Sequence, residues 1–390
     1  MLDLAKRRYV AWLCIPAFFV LLVFHPVFPS PDRFFDWQAR SFLAGRLDIA
    51  WSDAAKSKYV DMTLHDGRLY LPLGPLPSLL IVPFIAVAPD LPVDAWLHVL
   101  LGIVAAVLSY RVARRFGLDR EPATWMAAAF TFTSSAVGVI FLDGPWYFAH
   151  VIVLILGLLA VLEHKGKDRP LVIGSLLALV MATRLTAAAG ILFFVVLTAF
   201  AKMPARAKAR RLALMAVPMI VVGLALGWFN AARFGSPFEN GYGAQIGVEG
   251  TRTAREKPIY GMFDFHYIAN NVRYYFFQGP VFRDGRLVAS VGGLGLLFVA
   301  PIFLLVLKGD PKDREWLAGM TVTAIVLSIF LCYYGTGASQ FGPRFINDAL
   351  PFLYVALLRT VRKADLGWRK RWLIFGGACA NLALLVLTYR

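Results

Sequence analysis

Apolar residues in this chain come in long runs separated by short charged segments. A helix needs about 20 mostly apolar residues to cross a bilayer. Runs of roughly crossing length occur near 9–28, 93–113, 122–142, 147–162, 170–184, 185–201, 212–231, 291–307, 316–334, 345–360 and 372–389. The pattern predicts an all-α polytopic membrane protein of about 11 transmembrane helices, one integral membrane domain over 1–390. The first run follows Lys6-Arg7-Arg8, exceeds the apolar part of a signal peptide, and ends in Phe28-Pro29-Ser30 without a small-x-small cleavage pattern. It reads as an uncleaved span with a cytoplasmic N-terminus.

Leu76 to Val87 is apolar but spans only about a dozen residues, bracketed by Pro72, Pro75, Pro77, Pro83 and Pro89. A full crossing here would put Arg111, Arg114 and Arg115 outside the cell, so the segment is expected to be re-entrant or interfacial. Two segments between spans are long, 29–92 and 232–290, and carry aromatics, glycines and both charge signs. They are expected to be outer loops bearing amphipathic helices and the functional site.

Composition agrees with this class. Hydrophobic residues make up 59% and charged residues 16%, with mean hydropathy +0.64, whereas a soluble domain carries about 25% charged residues. The net charge of +16 would suit nucleic acid only as a basic surface on a folded domain. Here it divides by face. The short loops and the N-terminus assigned to the cytoplasm hold 24 of the 40 basic residues and nine of the 24 acids. That is the positive-inside pattern of a plasma (inner) membrane protein, with the C-terminus outside. Membrane lipids are thus the expected surroundings, and nucleic acid is excluded as a partner. Cys14, Cys332 and Cys379 lie singly in apolar runs, and no His or Cys spacing fits a metal site. The sequence points to no certain cofactor, and a divalent cation, Mg or Mn, stays open.

Candidate chemistry concentrates in the outer segments. A helix over about 32–44, ended by Gly45, puts Phe35, Ala39 and Phe42 on one stripe and Asp32, Asp36 and Arg40 on another. It is expected to lie on the membrane surface, where partial desolvation raises a carboxylate toward general-base use. The plainer alternative has Asp32 capping the helix and Asp36 paired with Arg40. Asp48, Asp53, Asp61 and Asp66 follow, with Asp66-Gly67 as a hairpin turn and His65 beside it. Asp143 and His150 flank an outer turn at the membrane boundary. Thr183-Arg184 divides two spans, so Arg184 should face protein or an anion. Arg233 and Arg344 stand among aromatics above spans, an arrangement suited to an amphiphile with an anionic head as well as to interface anchoring.

The order of several short motifs resembles the polytopic glycosyltransferases of the GT-C superfamily that use polyprenyl-phosphate sugars. These are the acidic juxtamembrane helix with Gly45-Arg46-Leu47-Asp48, the Pro-rich lead from Tyr70 to Pro83, and the span ending Tyr110-Arg111-Val112-Ala113-Arg114-Arg115-Phe116. Thr183-Arg184, Arg233-Phe234-Gly235-Ser236-Pro237 and Phe341-Gly342-Pro343-Arg344 complete the series. The resemblance implies that Asp36 or Asp32 deprotonates an acceptor hydroxyl as it attacks the sugar's anomeric carbon. Arg344, Arg184 and Arg233 would then stabilise the departing polyprenyl phosphate, with Asp48, Asp66 and His150 as further substrate-binding candidates. Where many members have adjacent Asp-Glu, this chain has Asp32-Arg33. The implied partners are a polyprenyl-phosphate sugar donor and a glycan or lipid acceptor. The rival readings are a transporter or lipid flippase, and a ligase or polymerase of lipid-linked glycans.

Overall fold

The computed structural model describes Ser30 and residues 32–55, 58–338, 340–363 and 366–389. The expected first span, the N-terminal charges and Cys14 lie outside the described residues. The chain is mostly helical. The principal helices are α1 (Phe34–Leu43), α2 (Leu76–Val87), α3 (Val93–Arg115), α4 (Arg120–Phe132), α5 (Pro145–His164), α6 (Pro170–Thr183), α7 (Ala205–Phe234), α8 (Arg314–Leu331), α9 (Leu350–Lys363) and α10 (Trp368–Tyr389). Among the described residues, five of them, α3, α5, α7, α8 and α10, are long and apolar enough to cross a membrane. The exposed face of α7 presents Val217, Ile220, Val221, Leu224 and Trp228, a surface stable against lipid chains and not against water.

Other apolar runs are interrupted for identifiable reasons. The run near 122–142 is one span in the sequence reading, but its helix stops at Phe132 and resumes as Ala136–Phe141. The hydroxyls of Thr133 and Ser134 donate back to the carbonyls of Ala129 and Phe130, which competes with helix continuation. The run near 291–307 divides into Leu296–Val299 and a 3-10 stretch Pro301–Lys308, because Pro301 has no N–H to continue the first helix. Broken helices need partners for the carbonyls they free. Asn381 of α10 donates to Phe132 O at 2.8 Å and Val299 O at 2.9 Å, serving both breaks. Asn271 does the same at the end of α8, donating to the carbonyls of Phe330, Leu331 and Tyr333.

The two ends of the bundle differ. At one, the short basic loops are tied by ion pairs: Lys165 to Glu315 at 2.8 Å, Arg359 to Asp313 at 2.6 Å, Arg211 to Asp168 at 2.6 Å and Arg371 to Glu121 at 2.7 Å. At the other, the two long segments join each other. Asp61 N–H donates to Ile246 O, Ile246 N–H to Met62 O, and Thr63 Oγ1 to Gly241 O. The first of these segments contains a hairpin, β1 (Thr63–His65) against β2 (Arg68–Tyr70), turning at Asp66-Gly67 with both residues left-handed.

α2 occupies the residues expected for a re-entrant or interfacial helix and packs against α1. The expected exposure of α1 on the membrane surface is corrected. Phe34, Phe35, Asp36, Trp37, Gln38, Ala39 and Ser41 are all buried, and Gln38 Oε1 accepts from Ser78 Oγ of α2 at 2.7 Å. The apolar stripe is covered by α2 and by Phe148 of α5.

Candidate active site

α1 brings Asp32 and Asp36 to the same end of the bundle but into different surroundings. Asp36 is 3% exposed. Its carboxylate accepts from Arg40 at 3.0 and 3.3 Å and stands 3.5 Å from Arg33. Both oxygens are therefore engaged. Asp32 does not cap the helix: the N-cap position is Arg33, with no side-chain cap bond. Asp32 lines a narrow cleft with Ser30, Phe35, Asp94, Asp143, Gly144 and Phe148, and burial pushes its carboxyl above the usual aspartate range. Its neighbours in the cleft are tied: Asp94 accepts from Arg33 at 2.8 Å, and Asp143 accepts from Ser30 N–H at 2.6 Å. Among the described residues no group of three or more His, Cys, Asp or Glu is placed to hold a metal ion.

The three candidate cations are placed unequally. Arg184, leaving α6, forms a bidentate pair with Asp348 at 2.7 and 3.2 Å. Asp348 also accepts from Thr186 Oγ1 at 2.5 Å. His150 Nδ1 stands 3.2 Å from Asp348, within ion-pair range but outside hydrogen-bond geometry. Arg233, at the end of α7, donates to Leu71 O at 2.7 Å and Asn230 Oδ1 at 2.8 Å, and its guanidinium lies 3.8 Å over the Phe229 ring. Its contacts fasten α7 to the first long segment.

Arg344 remains. It starts the 3-10 turn Arg344–Asp348 and donates through one terminal nitrogen to Ala338 O at 3.0 Å. Its guanidinium packs over Trp146 at 5.6 Å and Phe345 at 5.1 Å, and it bonds to the Tyr147 hydroxyl. Its Nε is buried without a hydrogen-bond partner among the described residues, as is the Tyr275 hydroxyl, and Tyr275 lies within electrostatic reach of Arg344. Unsatisfied buried donors are rare in folded proteins, and a cationic one is a ready receptor for an anionic oxygen.

Two predicted residues stand apart from this cluster. Asp48 pairs with Arg46 at 3.2 Å. Asp66 is at the hairpin tip, its side chain 90% exposed, 3.5 Å from His65. Two others join the cluster without having been singled out as site residues. Asp348 fell inside an apolar run, where an acid is itself a signal. Asp61 had no distinguishing sequence feature. It bonds to Trp146 and feels the charges of Arg344 and Asp32, and its Oδ1 accepts from Gln245 at 3.2 Å. Burial, opposed by Arg344, pushes its carboxyl up. Tyr242, also in electrostatic reach of Asp61, is pushed up to about 12, chiefly by burial.

A mostly helical bundle with five helices long and apolar enough to cross a membrane among the described residues, several interrupted apolar runs and a charged cluster beside the two long segments makes up the fold. Solved structures share that fold. The structure of ArnT from Cupriavidus metallidurans in the apo state matches 94% of this chain with a TM-score of 0.57 at 15% identity. The structure of the same protein bound to undecaprenyl phosphate matches with a TM-score of 0.55 at 16% identity. This chain spans 61% of the length of each. The likeness bears out the GT-C resemblance at the level of fold. No protein-family model and no curated protein matches the sequence.

Proposed function

We propose that the chain is an inverting glycosyltransferase. It moves a hexose or pentose from a polyprenyl-phosphate donor to a lipid-linked or cell-envelope acceptor at the outer face of the plasma (inner) membrane. The observation that carries this reading is the buried Arg344, with an unpartnered Nε and within electrostatic reach of the unpartnered Tyr275 hydroxyl, at the same end of the bundle as Asp32. A phosphate needs such donors, and the reaction needs a carboxylate whose basicity has been raised. That an ArnT structure holds undecaprenyl phosphate supports a lipid phosphate as the anion.

In this mechanism Asp32 accepts the proton of an acceptor hydroxyl as that oxygen bonds to the anomeric carbon. The bond from that carbon to the phosphate oxygen breaks on the opposite face, and its electron pair leaves with the polyprenyl phosphate. Arg344, Tyr147 and Tyr275 stabilise the departing charge. Asp36 orders Arg33 and Arg40, and Arg184 is neutralised by Asp348, so both act by positioning.

The topology belongs to the same proposal: about 11 spans, the N-terminus in the cytoplasm, the C-terminus outside, and segments 29–92 and 232–290 both outside. It is supported by the pairing of those two segments with each other and by the ion-paired basic loops at the other end.

Mass spectrometry of lipids extracted from the purified protein tests the reading. A polyprenyl phosphate bound to the wild type and lost from Arg344→Ala is expected. Purified protein that retains none, even when polyprenyl phosphate is added, counts against it. The buried His150, Asp348 and Arg184 group favours a second reading, a transporter or flippase, since ionisable groups at membrane depth often mark a pathway. That activity would move the lipid without changing it.

A further inference from the structure

Asp61 is held in a manner that packing alone does not require. Lys58, Tyr59 and Asp61 all adopt left-handed backbone, with φ of 52°, 62° and 65°. Such conformations are uncommon outside glycine, and for a bulky residue such as Tyr59 they store strain. The turn is held by bonds from Tyr59 N–H to Ala54 O and from Asp61 N–H to Ile246 O. Gln245 Nε2 donates to both the backbone and the side chain of Asp61 at 3.2 Å, and Gln245 Oε1 stands 3.5 Å from the Tyr334 hydroxyl. A residue from the second long segment thus fixes the carboxylate of the first. The indole of Trp146 bonds to the same carboxylate and also carries the Arg344 guanidinium on its face.

The chemistry of transfer says what should occupy the adjoining space. In an inverting displacement the sugar lies between the base that activates the acceptor and the cation that receives the phosphate. Asp61, fixed by Gln245, is within electrostatic reach of both Asp32 and Arg344, and Arg344 packs over the Trp146 ring. Gln245 and Trp146 use only part of its capacity, since a carboxylate offers about four lone-pair sites. Its remaining lone pairs can accept from hydroxyls, and the Trp146 ring offers an apolar surface to sugar C–H groups.

We propose that Asp61, oriented by Gln245, accepts hydrogen bonds from the hydroxyls of the transferred sugar and sets the preference for a glycosylated over a bare polyprenyl phosphate. The inference rests on the glycosyltransferase reading above. A site built to bond a hydroxyl discriminates strongly, because its buried polar group is otherwise left unpaired.

The test measures binding of the full chain in nanodiscs to undecaprenyl phosphate and to undecaprenyl phosphates carrying glucose, mannose or arabinose. The wild type is expected to bind at least one glycolipid more tightly than the bare lipid. Asp61→Asn is expected to reduce that preference at least tenfold while bare-lipid binding stays within about twofold. A preference that survives the substitution, or a wild type that binds bare lipid but prefers no glycolipid, overturns the proposal and leaves the glycosyltransferase reading standing. A wild type that binds none of the four lipids overturns both. Should Asp61→Asn lose bare-lipid binding through misfolding, Gln245→Ala is judged by the same ratio, with loss of preference supporting the proposal and an unchanged preference overturning it.

Discussion

Asp32 precedes α1 and Asp36 lies in its first turn, and their surroundings separate them. Asp36 has two guanidinium partners and Asp32 faces a cleft. Asp32→Asn is expected to lower transfer by about 10²–10⁴-fold, the usual worth of a general base, with lipid binding intact in the same preparation. Asp36→Asn is expected to lower the melting temperature, because it removes the charged half of the Asp36–Arg40 pair on the buried side of α1 and weakens its contact with Arg33. Burial raises Asp32 above the ordinary aspartate value of about 4. The active carboxylate is therefore lost as pH falls through that raised value, and the acid limb of kcat/KM should lie above pH 4. The raised groups also make the folded state bind more protons than the unfolded one. Asp32 and Asp61 thus lower stability as pH rises from about 4 through their folded values. At this scale the sequence disclosed local pairs such as Asp36 with Arg40, since helical spacing dictates them. It did not disclose Asp61 with Gln245, 184 positions away, or Arg184 with Asp348, 164 positions away.

The elements were legible in extent more than in continuity. α2, α3 and α6 fall within a few residues of their apolar runs, because a backbone removed from water must satisfy its own polar groups and a helix does so within one segment. The breaks at 133–135 and 300–301 came from local competitors, two back-bonding hydroxyls and a proline, inside runs that hydropathy averages over. The hairpin at Asp66-Gly67 was readable from its turn. The same dipeptide at Asp284-Gly285 also turns a hairpin, Val281–Arg283 against Arg286–Val288. What holds the broken elements is tertiary, and Asn381 is the clearest instance. Asn381→Leu should orphan two buried carbonyls and lower stability by about 1–3 kcal/mol for each. Thermal unfolding in detergent would show it, and an unchanged melting temperature would mean that other groups satisfy them.

For the whole molecule, charge forecasts sidedness. The loops that the positive-inside rule assigns to one face are the loops that ion-pair with one another, and the two long segments meet at the opposite end. Sidedness can be read with a membrane-impermeant thiol reagent on a chain whose native cysteines have been replaced. Asp66→Cys should label in intact cells, and Lys167→Cys only after permeabilisation. The reverse pattern would invert the topology. The proposed chemistry is tested most directly by adding undecaprenyl phosphates carrying glucose, mannose or arabinose, with a cell-envelope extract as acceptor, to the purified full chain in liposomes. The readout is the undecaprenyl phosphate released. The wild type should release it from at least one donor, and Asp32→Asn and Arg344→Ala should release little or none. No release from any donor, or full release by both variants, would contradict the assignment of Asp32 as base and Arg344 as phosphate receptor.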